Sequence, residues 1–127
     1  MFIGLNPSTA DARVDDPTLV RCMNYARTWG YGGVAVANLF AFRAMDPARM
    51  KAAADPVGPR NDAWLRRLAA DAGLIVAAWG NDGAFMDRSA GVRAMLPAMH
   101  CLTLNRSGEP AHPLYQRASL RAVPLET

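Results

Sequence analysis

The sequence predicts an α/β domain, a three-layer sandwich in which helices flank a four-stranded parallel sheet. Two observations carry this. Four short apolar runs, residues 1–5, 34–40, 74–79 and 100–104, are each too short for a helix. The second and third are apolar on both faces, as strands covered from both sides must be. Segments with helical spacing alternate with these runs, and such alternation closes into a parallel sheet through right-handed crossovers. The 127 residues supply one core and one domain, residues 1–127, with no internal repeat or linker.

The elements follow in order. The first helix opens at Asp16-Pro17, with Asp16 or Asp15 as N-cap and Pro17 at the first position, where its missing N–H costs nothing. Leu19, Cys22, Met23, Ala26 and Trp29 then share one face, and Gly30 ends the helix. A short helix fits residues 47–54. The next begins near Gly58-Pro59, sets Trp64, Leu65, Leu68 and Ala72 on one face and stops at Gly73. The last, residues 82–96, uses Phe85, Val92 and Leu96 before Pro97 breaks it.

Composition narrows the function classes. Hydrophobic residues at 51%, charged residues at 20% and no polar low-complexity run exclude a disordered chain. No apolar stretch approaches the ~20 residues of a bilayer span, so no membrane partner is expected, and Asn6-Pro7 cuts the first run too short for a signal peptide. Cys22 and Cys101 sit in apolar contexts at neither disulfide nor metal spacing, which fits buried thiols in a reducing cytoplasm. The net charge of +3 permits a nucleic-acid partner without demanding one. Of the 14 basic residues only Lys51 is not arginine, a bias that suits phosphate but that base composition explains more simply.

In an open parallel sheet, ligands bind beyond the carboxyl ends of the strands, and the polar residues gather there. Residues 6–11 follow the first run, Asn38 lies near the end of the second, and Gly80, Asn81 and Asp82 follow the third. Asn105, Arg106, Ser107, Gly108 and Glu109, then His112 to Tyr115, follow the fourth. The loops at the opposite edge are plainer. Neither G-x-x-x-x-G-K-[ST] nor G-x-G-x-x-G nor G-x-S-x-G occurs, and the acids are too scattered for a metal site, so neither metal nor cofactor is expected.

His100 opens a strand and reads as structural. His112 lies in a loop punctuated by glycine and proline, where a donor or proton carrier can stabilise charge growing on a carbonyl oxygen. Asn6, taken alone, reads as an Asx-turn. Asn38, inside an apolar run, either bonds neighbouring backbone or faces a ligand, because an unpaired amide there is costly. Gly80 leaves room for close backbone approach, and Trp79 either packs the sheet end or forms a stacking wall.

The segments Gly4-Leu5-Asn6-Pro7-Ser8-Thr9-Ala10-Asp11, Asp16-Pro17-Thr18, Asn38-Leu39-Phe40, Asp55-Pro56-Val57-Gly58-Pro59, Trp79-Gly80 and His112-Pro113-Leu114-Tyr115 together resemble the family called domain of unknown function 1643. The resemblance covers nearly the whole chain. It implies that a segment usual before the first strand is lacking here. More distantly, Gly4-Leu5-Asn6-Pro7-Ser8 resembles the first motif of the uracil-DNA glycosylase superfamily, in its mismatch-specific G-[IL]-N-P-G form. Residues 34–42 are similar to that superfamily's strand ending in a base-reading Asn, and residues 74–80 to its apolar strand ending in Trp-Gly. His112-Pro113-Leu114 resembles its late His-Pro-Ser loop.

This resemblance implies a uracil-DNA glycosylase-like fold and hydrolysis of the N-glycosidic bond of a base in DNA or in a nucleoside, without a cofactor. Asn6 would position the attacking water, Asn38 would read the base edge, and His112 would hydrogen-bond the base carbonyl as charge develops. Pro7, Ser8, Thr9, Trp79 and Gly80 would line the ligand site, and Leu114 or Tyr115 would wedge into the base stack. Arg106 and Ser107, with Ser8 and Thr9, would hold phosphates. The pattern also departs from the superfamily. Leu114 stands where the late motif has Ser, Ser8 where the first has Gly or Tyr, and no aromatic is assigned to stack on the base. Two cysteines are too few for an iron–sulfur cluster. Two further readings stay open: a non-catalytic nucleic-acid or nucleotide binder, and a small-metabolite enzyme with a closed pocket.

Overall fold

In the computed structural model, which describes residues 1–8, 16–96 and 98–125, the strand β1 (Phe2–Gly4) lies inside a five-stranded sheet. The other strands are β2 (Val36–Asn38), β3 (Val76–Ala77), β4 (His100–Cys101) and β5 (Val123–Pro124), in the order β2-β1-β3-β4-β5. The first four are parallel, in the register Phe2↔Val36, Phe2↔Val76 and Val76↔His100. β5 runs antiparallel to β4, pairing His100 with Pro124 and Cys101 with Val123. The sheet therefore has five strands and not the expected four. A two-residue strand containing proline leaves no periodic signal, and proline, which donates no ladder bond, is confined to such an edge.

Between the strands, α1 (Pro17–Thr28) starts where its chemistry places it: the Asp16 carboxylate accepts from Thr18 N at 2.9 Å. It ends on Gly30 at φ +88°, with Gly30 N donating to Arg27 O and Tyr31 N to Ala26 O, the paired bonds of a Schellman close. α2 (Pro47–Lys51) is shorter than residues 47–54 and is capped by Asp46. α3 (Asn61–Asp71) follows it. The single helix expected over 82–96 is two pieces, a 3-10 helix over Asn81–Asp87 and α4 (Arg88–Met95). The helical path breaks inside the first piece, at extended Phe85 and left-handed Met86 (φ +56°), and left-handed Asp87 (φ +54°) leads into α4. None of these residue types announces such a break.

Alternation along the strands splits the core in two. Phe2, Val76, Ala78 and Leu102 pack with Cys22 and Tyr25 of α1, where Phe2, Tyr25 and Trp29 stack. Ile3, Ala37, Leu39, Ala77, Trp79 and Cys101 pack with Met50, Leu65 and Val92 of the other helices. Helices therefore cover both faces. The buried stripe of α1 contains Tyr25, while Leu19 and Met23 are exposed, contrary to the periodic reading. Residues 116–120 lie along α1 and reset that face: Arg21 Nη2, Tyr25 Oη and Trp29 Nε1 donate to the carbonyls of Gln116, Arg117 and Leu120. Trp64, expected inside, is half exposed.

Burial pushes the Cys22 thiol up to about 12, with the charge of Asp16 adding to the effect, and burial also raises that of Cys101. Both are core residues and poor nucleophiles. Among the described residues no helix is long and apolar enough to cross a membrane.

A Cβ built on Gly83 would lie 2.0 Å from Trp79 Cδ1, whereas one on Gly91 of α4 meets nothing within 4 Å. Gly83→Ala is therefore expected to cost about 1–3 kcal/mol through overpacking. Gly91→Ala is expected to add about 0.5–1 kcal/mol. Thermal unfolding of the two variants, which carry the same chemical change, checks the contrast.

Candidate functional site

The parallel strands discharge their loops at one edge, and the polar residues there divide by what they bond. Asn6 leaves β1 and donates through Nδ2 to Pro7 O at 3.2 Å and Ala44 O at 3.3 Å, with a longer approach to Phe42 O. Ala44 N donates to Pro7 O, and Arg43 Nη1 donates to Ser8 O at 2.6 Å. The loop after β1 is thus zipped to the loop after β2, and the carboxamide nitrogen of Asn6 is used in the seam. Its Oδ1 has no partner among the described residues. Thr9 lies outside the described residues.

Asn38 ends β2 opposite Gly4. Its Oδ1 occupies the space that a side chain on Gly4 would need, since a Cβ there would lie 2.9 Å away. The carboxamide bonds no backbone. It is half-buried and without a partner among the described residues.

Past β3, Trp79 lies beneath the edge and not along it. It is 1% exposed and donates Nε1 to Glu109 Oε2 at 2.7 Å. This is the sheet-end packing role; an indole covered by Gly83 offers no stacking wall. Gly80 turns the chain at φ +76° and ψ −172°, a region that glycine alone occupies readily, and donates to Pro110 O at 2.8 Å. Asn81 Oδ1 accepts from Asn105 Nδ2 at 2.9 Å and from Ser107 Oγ at 2.6 Å. Ser107 also receives Glu109 N, so its hydroxyl fastens the 104–110 hairpin and is not free to hold a phosphate. Arg106 is exposed, with no partner among the described residues.

His112 sits beside Gly80: a Cβ built on Gly80 would come 4.0 Å from His112 Cβ. His112 is half-buried, in a segment whose Pro110 and Pro113 are fully buried. Its Nδ1 accepts the Leu114 N–H at 3.2 Å. Burial lowers the imidazole pKa, partly offset by the charge of Asp16 at the start of α1. The neutral ring with Nδ1 occupied carries its proton on Nε2, which has no partner among the described residues. Leu114 is half-buried, and Tyr115, at φ +70°, is 95% exposed.

Asn6, Asn38, Gly80 and His112 therefore share one edge. Asn38 and the Gly80 corner flank β1 at two strand spacings, about 10 Å apart. Asp16 as the neighbour of His112 and Glu109 as the partner of Trp79 were invisible beforehand, because both pairings join distant segments. Among the described residues no three of His, Cys, Asp and Glu gather as a metal site. A cavity of about 330 Å³, lined by Phe2, Trp29, Tyr31, Leu68 and Asp71, opens at the opposite edge. None of the expected site residues lines it.

A protein-family model described as "Protein of unknown function (DUF1643)" matches residues 1–114. The chain belongs to the DUF1643 family. No curated protein and no solved structure gives a match. The DUF1643 span holds Asn6, Asn38, Trp79-Gly80 and His112 and stops one residue before Tyr115.

His112 makes the fold acid-sensitive. Its pKa in the folded chain lies below the ordinary 6.5, so as pH falls through 6.5 the unfolded chain takes up a proton first and stability drops. Above pH 6.5 the residue contributes no such loss. NMR titration should find the His112 midpoint below 6.5, and His112→Asn should lose less stability than the parent between pH 7 and pH 5.

Proposed function

We propose that the carboxyl edge hydrolyses an N-glycosidic bond, releasing a base from DNA or from a nucleoside. The observation that carries this reading is the state of His112, which sits beside Gly80 as a neutral ring whose Nδ1 is occupied by Leu114 N–H and whose Nε2–H has no partner among the described residues. As the glycosidic bond breaks, its electron pair leaves with the base and negative charge grows on the base oxygen. A held, neutral N–H donor stabilises that oxygen more in the transition state than in the substrate.

The other roles follow from what each group has left to offer. Asn38 sets its acceptor Oδ1 over Gly4 and has a donor Nδ2 on the same carboxamide, a pair that suits the edge of a base. Asn6, its nitrogen spent in the loop seam, offers Oδ1 to a water. The water oxygen bonds to the sugar carbon, and the proton it releases ends on the departing base nitrogen. Tyr115, standing out at the rim, is the residue to enter a base stack, and Arg106 is the residue to meet a phosphate.

The test is incubation with oligonucleotides carrying uracil, hypoxanthine or a G·T mismatch, followed by alkali, which breaks strands at abasic sites. Strand breaks are expected, with His112→Ala slowing them by about 10²–10³-fold and Asn6→Ala also slowing them. Breaks that persist unchanged in both variants sink the role assignment. Salt-dependent binding without breaks on any substrate would instead favour a non-catalytic nucleic-acid binder.

A further inference from the structure

The Asp55-Pro56-Val57-Gly58-Pro59 segment and the residues that follow it have no part in the reaction just described, yet they converge on the backbone of Asn38. β2 is the outer strand of the sheet, so one side of it has no ladder partner. Asn61, the first residue of α3, is 7% exposed and supplies what the ladder lacks. Its Nδ2 donates to Asn38 O at 3.0 Å and to Leu39 O at 2.9 Å. Arg88, at the start of α4, adds Nε to Leu39 O at 2.8 Å. The Arg88 guanidinium approaches Asp62 Oδ1 at 2.6 Å, a charge contact without hydrogen-bond alignment.

The turn before α3 seats Asn61 in turn. Gly58, at φ +88°, receives the Asp55 carboxylate on its N–H at 3.2 Å and accepts Asn61 N. Val57 O and Pro56 O accept Ala41 N and Phe42 N, tying the same turn to the chain just beyond Asn38. On the inner side, Leu39 N donates to Gly4 O at 2.9 Å. Two successive carbonyls and the intervening amide are thus held from both sides, which fixes the direction in which the Asn38 side chain leaves β2. That side chain has no hydrogen-bond partner among the described residues, and its Oδ1 lies where Gly4 leaves only the room of a missing Cβ.

We propose that Asn61, seated by the Asp55–Gly58 turn, and Arg88 are positioning residues for Asn38, holding its carboxamide over Gly4 while touching no ligand themselves. The functional part of this inference rests on Asn38 as the base-reading group; the positional part does not.

The full chain, labelled with ¹⁵N and ¹³C, tests both. In the parent, the Asn38 side chain should show contacts to the Gly4 α-protons, and its NH₂ shifts should lie away from those of a solvent-averaged amide. Asn61→Ala should abolish those contacts and move the NH₂ shifts to solvent-averaged values, with the Phe2, Tyr25 and Val92 signals in place. Arg88→Lys, which keeps the charge facing Asp62 but loses the planar donor to Leu39 O, should weaken them and decides the matter if Asn61→Ala does not fold. Unchanged Asn38–Gly4 contacts in a folded variant overturn the proposal. In the oligonucleotide assay, Asn61→Ala should cut the discrimination between uracil and hypoxanthine in kcat/KM by about tenfold and leave the pH profile set by His112 in place. An inactive parent defeats the glycosylase reading alone, since the NMR contacts still decide positioning; an active Asn61→Ala with unaltered discrimination overturns the functional part.

Discussion

β1 is three residues long and hydrogen-bonded on both sides, and this double pairing is the constraint on which the carboxyl edge depends. Phe2 N donates to Ala35 O and Gly4 O accepts Leu39 N toward β2, while Met1 O and Ile3 O accept Val76 N and Ala78 N toward β3. Because the three strands are parallel, their following loops leave from the same side. Asn6, Asn38 and Gly80 become neighbours through backbone bonds alone. Gly4 completes the arrangement by having no side chain where the Asn38 carboxamide lies.

Around that edge most polar side chains serve the backbone. Asn6 closes the seam between two loops, Asn61 and Arg88 cover the end of β2, and Asn81 gathers Asn105 and Ser107. Trp79 and Glu109 pin the hairpin from below. Polar groups in partly buried places are expected to find such partners. Against this background a few groups without a partner among the described residues stand out: the Asn38 carboxamide, the Nε2–H of His112, Asn6 Oδ1 and the Arg106 guanidinium. Asn38 and the Gly80 corner beside His112 lie on opposite sides of β1.

Legibility in the sequence followed the range of the interaction. Asp16-Pro17 and Gly30 bracketed α1 to within a residue or two, because capping and left-handed termination act over three or four positions. The apolar runs located all four parallel strands for a similarly local reason. Leu19, Met23 and Trp64 were misread because periodicity says that a face is apolar, not what arrives to cover it. Residues 116–120 cover α1 from the side of Tyr25. β5 and the left-handed pair Met86-Asp87 were hidden because each is imposed by packing on residues with no matching local preference.

The sequence by itself determined the α/β class, the order of the four parallel strands and the helices between them, the family and the edge at which polar residues collect, since each rests on short-range pattern or on motif order. Only the tertiary structure decided which of those polar residues remain unengaged. Ser107, Trp79 and the Asn6 nitrogen are spent on partners, and among the described residues Asn38 and the His112 Nε2–H have none. The reason is that a side chain's availability is set by groups brought to it from 24 to 38 positions away, as for Asn105 to Asn81 and Asn6 to Ala44, and no local pattern encodes that meeting.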